Sequence, residues 1–240
     1  ETKKMKTEIL DQLLRAQEEK KPVVLATDLV TGYQGLIYYT SATGPLSQSP
    51  LILEAGRSAL EKDKTGIVKT GLDEIFFHVF NPPLRMLLVG AVHIAQPLSR
   101  ISLVSGYDVT IIDPRESFAS PERFPEITLV HEWPDDGLNN LDIDRRTAIV
   151  TLTHDPKLDD PALAVAIRSE AFYIGALGSK RTHSSRLERL RNEGFNDLEI
   201  NRIKGPVGLK IGAVSPAEIA VSIIAEITQI LHAKEIKAAA

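Results

Sequence analysis

Apolar residues recur along the chain in two different rhythms, and the change between them falls near residue 81. In the first stretch, Ile9, Leu13, Leu14 and Ala16 form a narrow apolar stripe on a charged segment from Lys6 to Lys20. That spacing predicts a helix, which Pro22 ends. Residues 22–27 (PVVLAT) and 34–40 (QGLIYYT) read as strands separated by the turn residues Gly32 and Gly35. Leu51 to Lys62 has helical spacing. Residues 65–71 and 74–80 read as a hairpin whose second strand, EIFFHVF, alternates its faces. Asn81-Pro82-Pro83 then breaks the pattern.

Beyond the break the rhythm becomes strand, helix, strand. Residues 85–90 (RMLLVG) form a short, nearly continuous apolar run, with helical spacing over 91–103. Further runs stand at 107–113, 127–130, 147–152 and 171–176, with helical stretches between several of them. Apolar strands alternating with helices predict a parallel sheet covered on both faces, joined by right-handed crossovers. Asp160-Pro161 reads as the cap of one helix, with Leu163 and Ile167 facing inward. The last helix has the clearest start, Ser215-Pro216-Ala217-Glu218, and Ile219, Ile223, Ile227 and Leu231 line one of its faces. The expected fold is therefore α/β: a Rossmann-like doubly wound parallel sheet over 83–240, with a smaller N-terminal α/β domain over 1–82.

Composition narrows the function more by exclusion than by assertion. Of 240 residues, 43% are hydrophobic and 25% charged, as in an ordinary globular chain. Twenty-eight basic against 32 acidic residues give a net charge of −4 and no basic run, which argues against nucleic acid as a partner. Cysteine is absent, which excludes a disulfide framework, a cysteine zinc site, an iron–sulfur cluster, a thiol nucleophile and a persulfide carrier. No apolar run approaches a membrane span, and residues 1–21 lack the apolar core of a secretory signal, so a cytoplasmic location is expected.

Candidate chemistry gathers where predicted strands end. Gly90-Ala91-Val92-His93-Ile94-Ala95 sits where a G-x-G-x-x-G/A fingerprint would, but Val92 replaces the glycine that lets a pyrophosphate approach the backbone. Asp113, twenty-three residues on from Gly90, stands where a carboxylate would bind a ribose hydroxyl. His93 reads equally as a ligand contact or as a satisfied histidine at a helix start. Arg115 and Arg123 offer guanidinium forks suited to phosphate, or to a neighbouring carboxylate. His154 and Asp155 end another strand and could act as an acid–base pair; adjacent residues make a poor metal site. Gly175, Gly178, Ser179, Lys180 and Arg181 suggest an anion cradle, because basic residues at a helix start are unfavourable without a bound anion. The spacing is not that of a Walker A loop, Ser179 lacks a nucleophile-elbow context, and no metal motif occurs. No catalytic residue is expected. Arg181→Ala and Asp113→Ala are expected to weaken ligand binding while leaving the fold intact.

Taken together, VGAVHIAQ at 89–96, DPRESFASPERFP at 113–125, LTHDPKLDDPAL at 152–163, FYIGALGSKRTHSSRL at 172–187 and GPVGLKIGAVSPAEIA at 205–220 resemble the XdhC/CoxI family, maturation factors for xanthine dehydrogenase and carbon monoxide dehydrogenase. The resemblance covers about residues 84–232. It implies a role in place of turnover: binding a molybdopterin-type cofactor as cargo, protecting it, and assisting its sulfuration and insertion into a molybdenum hydroxylase. Gly90, Ala91, His93, Asp113, Arg115, His154, Asp155, Gly175, Gly178, Ser179, Lys180 and Arg181 would form the cofactor site. A glycine- and arginine-rich stretch and a Gly-Gly-Cys-like motif found in many members are not present in residues 1–80, so sulfur delivery would fall to a sulfurtransferase partner. A homodimer is a fair expectation. The alternatives are an NAD(P)-dependent oxidoreductase, which the fold and Asp113 favour and Val92 opposes, and a nucleotide-sensing module without catalysis.

Overall fold

The computed structural model describes residues 6–71 and 73–233 and divides into two compact units, the first ending at Pro82 and the second beginning at Pro83. The first unit runs α1 (Thr7–Glu18), β1 (Val23–Asp28), β2 (Gln34–Ile37), β3 (Ala42–Thr43), a 3-10 turn (Pro45–Gln48), α2 (Pro50–Lys62), β4 (Gly66–Thr70) and β5 (Asp73–Phe80). Its five strands form an antiparallel sheet in the order β3-β2-β1-β5-β4. Successive residues of a strand face opposite ways, so β1 serves two cores. Val23 and Leu25 meet Ile9, Leu13 and Ala16 of α1, while Val24 and Ala26 join Ile52 and Leu60 of α2. Leu14, counted in the apolar stripe of α1, is exposed instead.

The second unit runs β6 (Leu84–Val89), α3 (Ala95–Val104), β7 (Tyr107–Ile112), β8 (Thr128–Val130), α4 (Pro134–Asn139), β9 (Thr147–Thr151), α5 (Pro156–Arg168), β10 (Tyr173–Ala176), α6 (Lys180–Asn192), α7 (Asp197–Ile200), β11 (Ile203–Lys204) and α8 (Pro216–Leu231). All six strands are parallel, in the order β11-β10-β9-β6-β7-β8. Counted from β6, this is the 3-2-1-4-5-6 order of a dinucleotide-binding Rossmann sheet. Met86 and Leu88 of β6 pack with α3 and α8, while Leu87 and Val89 pack with α5 on the other face. Because both faces are covered, the strand reads as a continuous apolar run.

Capping chemistry sets the helix ends. The Ser215 hydroxyl accepts the Glu218 N–H and the Glu218 carboxylate accepts the Ser215 N–H, and Ile223 and Ile227 of α8 are fully buried. The Tyr173 phenol donates to Glu226 Oε2 at 2.5 Å and the Gly208 N–H donates to the same oxygen at 3.0 Å, tying β10 and the 205–214 loop to α8. Arg202 donates to the carbonyls of Ile167, Ser169 and Ala171, closing the end of α5. Trp133, the one tryptophan in the sequence, is the N-cap residue of α4.

Two predicted boundaries move. The helix expected from Ala91 starts at Ala95, because residues 91–94 make a turn at the strand end. The cap expected at Asp160-Pro161 lies inside α5, which starts five residues earlier with Asp155 as its N-cap and Pro156 in its first turn. Asp160 instead accepts two hydrogen bonds from Arg189 of α6. No helix among the described residues is long and apolar enough to cross a membrane.

Candidate functional site at the carboxyl edge of the parallel sheet

The strand order reverses between β6 and β9. In open parallel sheets, ligands bind outside the carboxyl ends of the strands at such a switch point. Here that point is built from main chain. Gly90 has φ +105°, and a Cβ on it would stand 2.3 Å from Thr153 Cγ2 at the end of β9. Only glycine tolerates both the dihedral and the approach. The next amide, Ala91 N–H, donates to Asp113 Oδ2 at 2.8 Å.

Asp113 itself is fully buried. Its Oδ1 accepts the Arg115 N–H at 3.0 Å and Arg115 Nε at 2.8 Å, and its Oδ2 also accepts Arg115 Nη2 at 2.7 Å. Burial alone would raise this carboxyl; the hydrogen bonds from Arg115 and Ala91 outweigh it and hold the group below the usual carboxylate range. Both oxygens are engaged, so the expectation that Asp113 binds a ribose hydroxyl does not fit. Asp113 clamps the Gly90 turn to the end of β7. Asp113→Ala is therefore expected to destabilise the fold as well as to release Arg115. Arg115, held by that clamp, is partly exposed and lies 4.3 Å over the Phe118 ring. Arg123 lies over the Phe118 and Phe124 rings and donates to the Phe118 carbonyl. Val92 is half-buried against the core while His93 is exposed.

The β9 end places its two candidates apart. His154 is exposed and takes a left-handed backbone, φ +63°. Asp155 is committed to α5: its carboxylate accepts the Lys157 N–H at 3.0 Å. The residue that reaches inward is Asp159, one turn later and almost fully buried. Its Oδ1 accepts the Thr153 hydroxyl at 2.6 Å, and its Oδ2 accepts Arg186 Nη2 at 3.3 Å.

At the β10 end, Gly175 lies within the strand and not in the turn. A Cβ there would meet Val207 Cγ2 at 2.6 Å, so this glycine permits close packing and is not part of a cradle. Gly178 does turn the chain, with φ +150°. Ser179 caps α6 by accepting the Thr182 N–H at 3.1 Å. Lys180 and Arg181 open the helix and are exposed. Beneath them is a cavity of about 260 Å³ whose walls include His154, Asp159, Arg181, Thr182, Arg186 and Arg189. Arg186 has 1% of its surface exposed, and its Nη2 also donates to the Leu177 carbonyl at 3.0 Å.

Arg186, Asp159 and Arg189 were absent from the sequence-derived site. The signal was available in the spacing: Arg186 lies three residues after His183 and four before the buried Leu190, on the inward stripe of α6. A cation on such a stripe must meet an acceptor inside. A larger groove, about 630 Å³, lies in the first unit between α2 and β4, but no buried charged group among the described residues lines it.

Comparison with known proteins places these features in a wider group. Residues 86–227, more than half of the chain, match the XdhC Rossmann domain family. The chain is 32% identical over 169 residues to the molybdenum cofactor insertion chaperone PaoD of Escherichia coli, covering 70% of this chain and 47% of that protein. It is 31% identical over 156 residues to a protein of Bacillus subtilis named as a probable component of xanthine dehydrogenase, covering 65% of this chain and 45% of that one. This chain thus spans less than half the length of these relatives. A solved structure described as a xanthine dehydrogenase from Bacillus halodurans shares the fold, with a TM-score of 0.67 at 24% identity, over 94% of this chain and 63% of that one.

Proposed function

The chain belongs to the XdhC family, and on that premise we propose that it is a maturation factor that holds a molybdopterin-type cofactor at the carboxyl edge of its parallel sheet for insertion into a molybdenum hydroxylase. The supporting observation is one of position. The matched segment, residues 86–227, contains every residue of that edge, from Gly90 to the Arg186 cavity. A relative of this chain is named as a molybdenum cofactor insertion chaperone, and that role suits an edge that offers cationic donors and glycine turns. In this reading the cargo's pterin system lies along the Gly90 turn and the exposed His93, and its phosphate is met by the cationic residues of α6. Arg115, fixed by Asp113, offers its exposed face on the same edge. The chain has no cysteine, so sulfuration of the cargo is assigned to a sulfurtransferase partner, with the enzyme of xanthine or carbon monoxide dehydrogenase type as the recipient.

The test is retention of the cargo. Protein purified from a host that makes molybdopterin is denatured with acid and iodine, and the released pterin is read by fluorescence. Near-stoichiometric pterin is expected. Empty, folded protein that binds NADH or NADPH tightly in a calorimeter would reverse the assignment in favour of a nucleotide.

A further inference from the structure

We propose that the cavity beneath the start of α6 is an oxyanion seat in which the buried Arg186 guanidinium recognises a phosphoryl group. Of the side-chain donors of Arg186, Nη2 is taken by Asp159 and the Leu177 carbonyl, while Nε and Nη1 find no hydrogen-bond partner among the described residues. Leaving the N–H groups of a charged side chain without acceptors in the interior is costly. A phosphoryl oxygen satisfies such an N–H group well, because a hydrogen bond between two charged groups is roughly twice as strong as a neutral one.

Three further features point the same way. Arg181 and Arg189 line the same cavity, and among the described residues Asp159 is the one carboxylate in its wall. Asp160, outside that wall, is bound to Arg189 through two hydrogen bonds. Asp159 in turn spends its Oδ1 on Thr153. The wall itself thus carries three arginines against that one carboxylate. Burial pushes the Asp159 carboxyl up and the Arg186 guanidinium down, and each partner's charge opposes that shift. At about 260 Å³ the cavity takes one group of a ligand and not the whole of it, since pockets for drug-sized molecules begin at roughly 300 Å³. The seat is also linked to the switch point. Thr153, which holds Asp159, is the residue against which Gly90 packs. The inference rests on the proposed function for the identity of the ligand, whose phosphate it would place.

Calorimetric titration of the whole chain with inorganic phosphate and with pyrophosphate tests the seat without any cofactor. Both are expected to bind, and Arg186→Gln is expected to weaken them by at least about tenfold. Should that variant not fold, Ser185→Glu decides. Residue 185 is exposed at the cavity wall, and a carboxylate there opposes an anion without touching the buried pair. Absence of phosphate and pyrophosphate binding overturns the seat, as does equal binding by Ser185→Glu or an equal response to chloride at matched ionic strength. Pterin retained without phosphate binding would remove the seat and leave the chaperone reading. Phosphate bound by a protein that never retains pterin would do the reverse. Pterin-loaded protein that no longer takes pyrophosphate assigns the seat to the cargo, whereas displacement of pyrophosphate by NADH assigns it to a nucleotide.

Discussion

Asp113 and Arg115 show how much one residue's surroundings change its meaning. By position in sequence, each looked like a ligand contact. In the fold the turn after β7 brings both the backbone and the side chain of Arg115 onto Asp113, and the carboxylate has no free oxygen. Asp113→Ala strands the buried Ala91 N–H and releases Arg115, which should cost about 2–3 kcal/mol. Chemical denaturation reads that loss, and an unchanged midpoint would show that the clamp carries no stability. His183 makes a second residue-scale prediction. Burial, and then the nearby Arg186, lower its pKa below the ordinary imidazole value, so the folded chain holds it neutral. The unfolded chain takes up a proton near pH 6.5. The contribution of this group is therefore complete above about that pH and is lost as pH falls toward the folded value. Melting temperature followed from pH 7.5 to 5.5 should decline, less steeply in His183→Gln; parallel curves would exclude His183 as the cause.

At the scale of elements, strands and helices with a long apolar period were legible, and the two-residue strands were not. β3 and β11 have two residues each, too few to show alternation, and exist because neighbouring strands offer them partners. The Ser215 cap was readable because its signal is local. The start of α5 was misread because two Asp-Pro pairs, 155–156 and 160–161, compete for it, and sequence alone does not show that Asp160 is taken by Arg189. The glycine turn at residue 90 and the cationic start of α6 were also readable. The buried Arg186 was hidden among the many charges of α6. The link between β10 and α8 gives an element-scale prediction. Tyr173→Phe removes a hydrogen bond to a carboxylate in a buried setting and should cost about 2 kcal/mol. Thermal unfolding checks it, and because Glu226 keeps the Gly208 N–H, the loss should stop short of unfolding the chain.

At the scale of the whole molecule, each unit has its own sheet and its own cores on both faces of that sheet. Folding free energy resides mainly in such cores. The part from Pro83 onward should therefore fold when made alone, with a cooperative melt and dispersed amide resonances; a molten, non-cooperative product would show that the first unit is needed. The tryptophan at the N-cap of α4 makes the same question answerable in the intact chain. It has no counterpart in the first unit, so its emission comes from the second unit alone, while far-ultraviolet ellipticity averages the secondary structure of both. Two optical signals recorded on one heated sample should thus separate if the units melt independently and superimpose if they melt together.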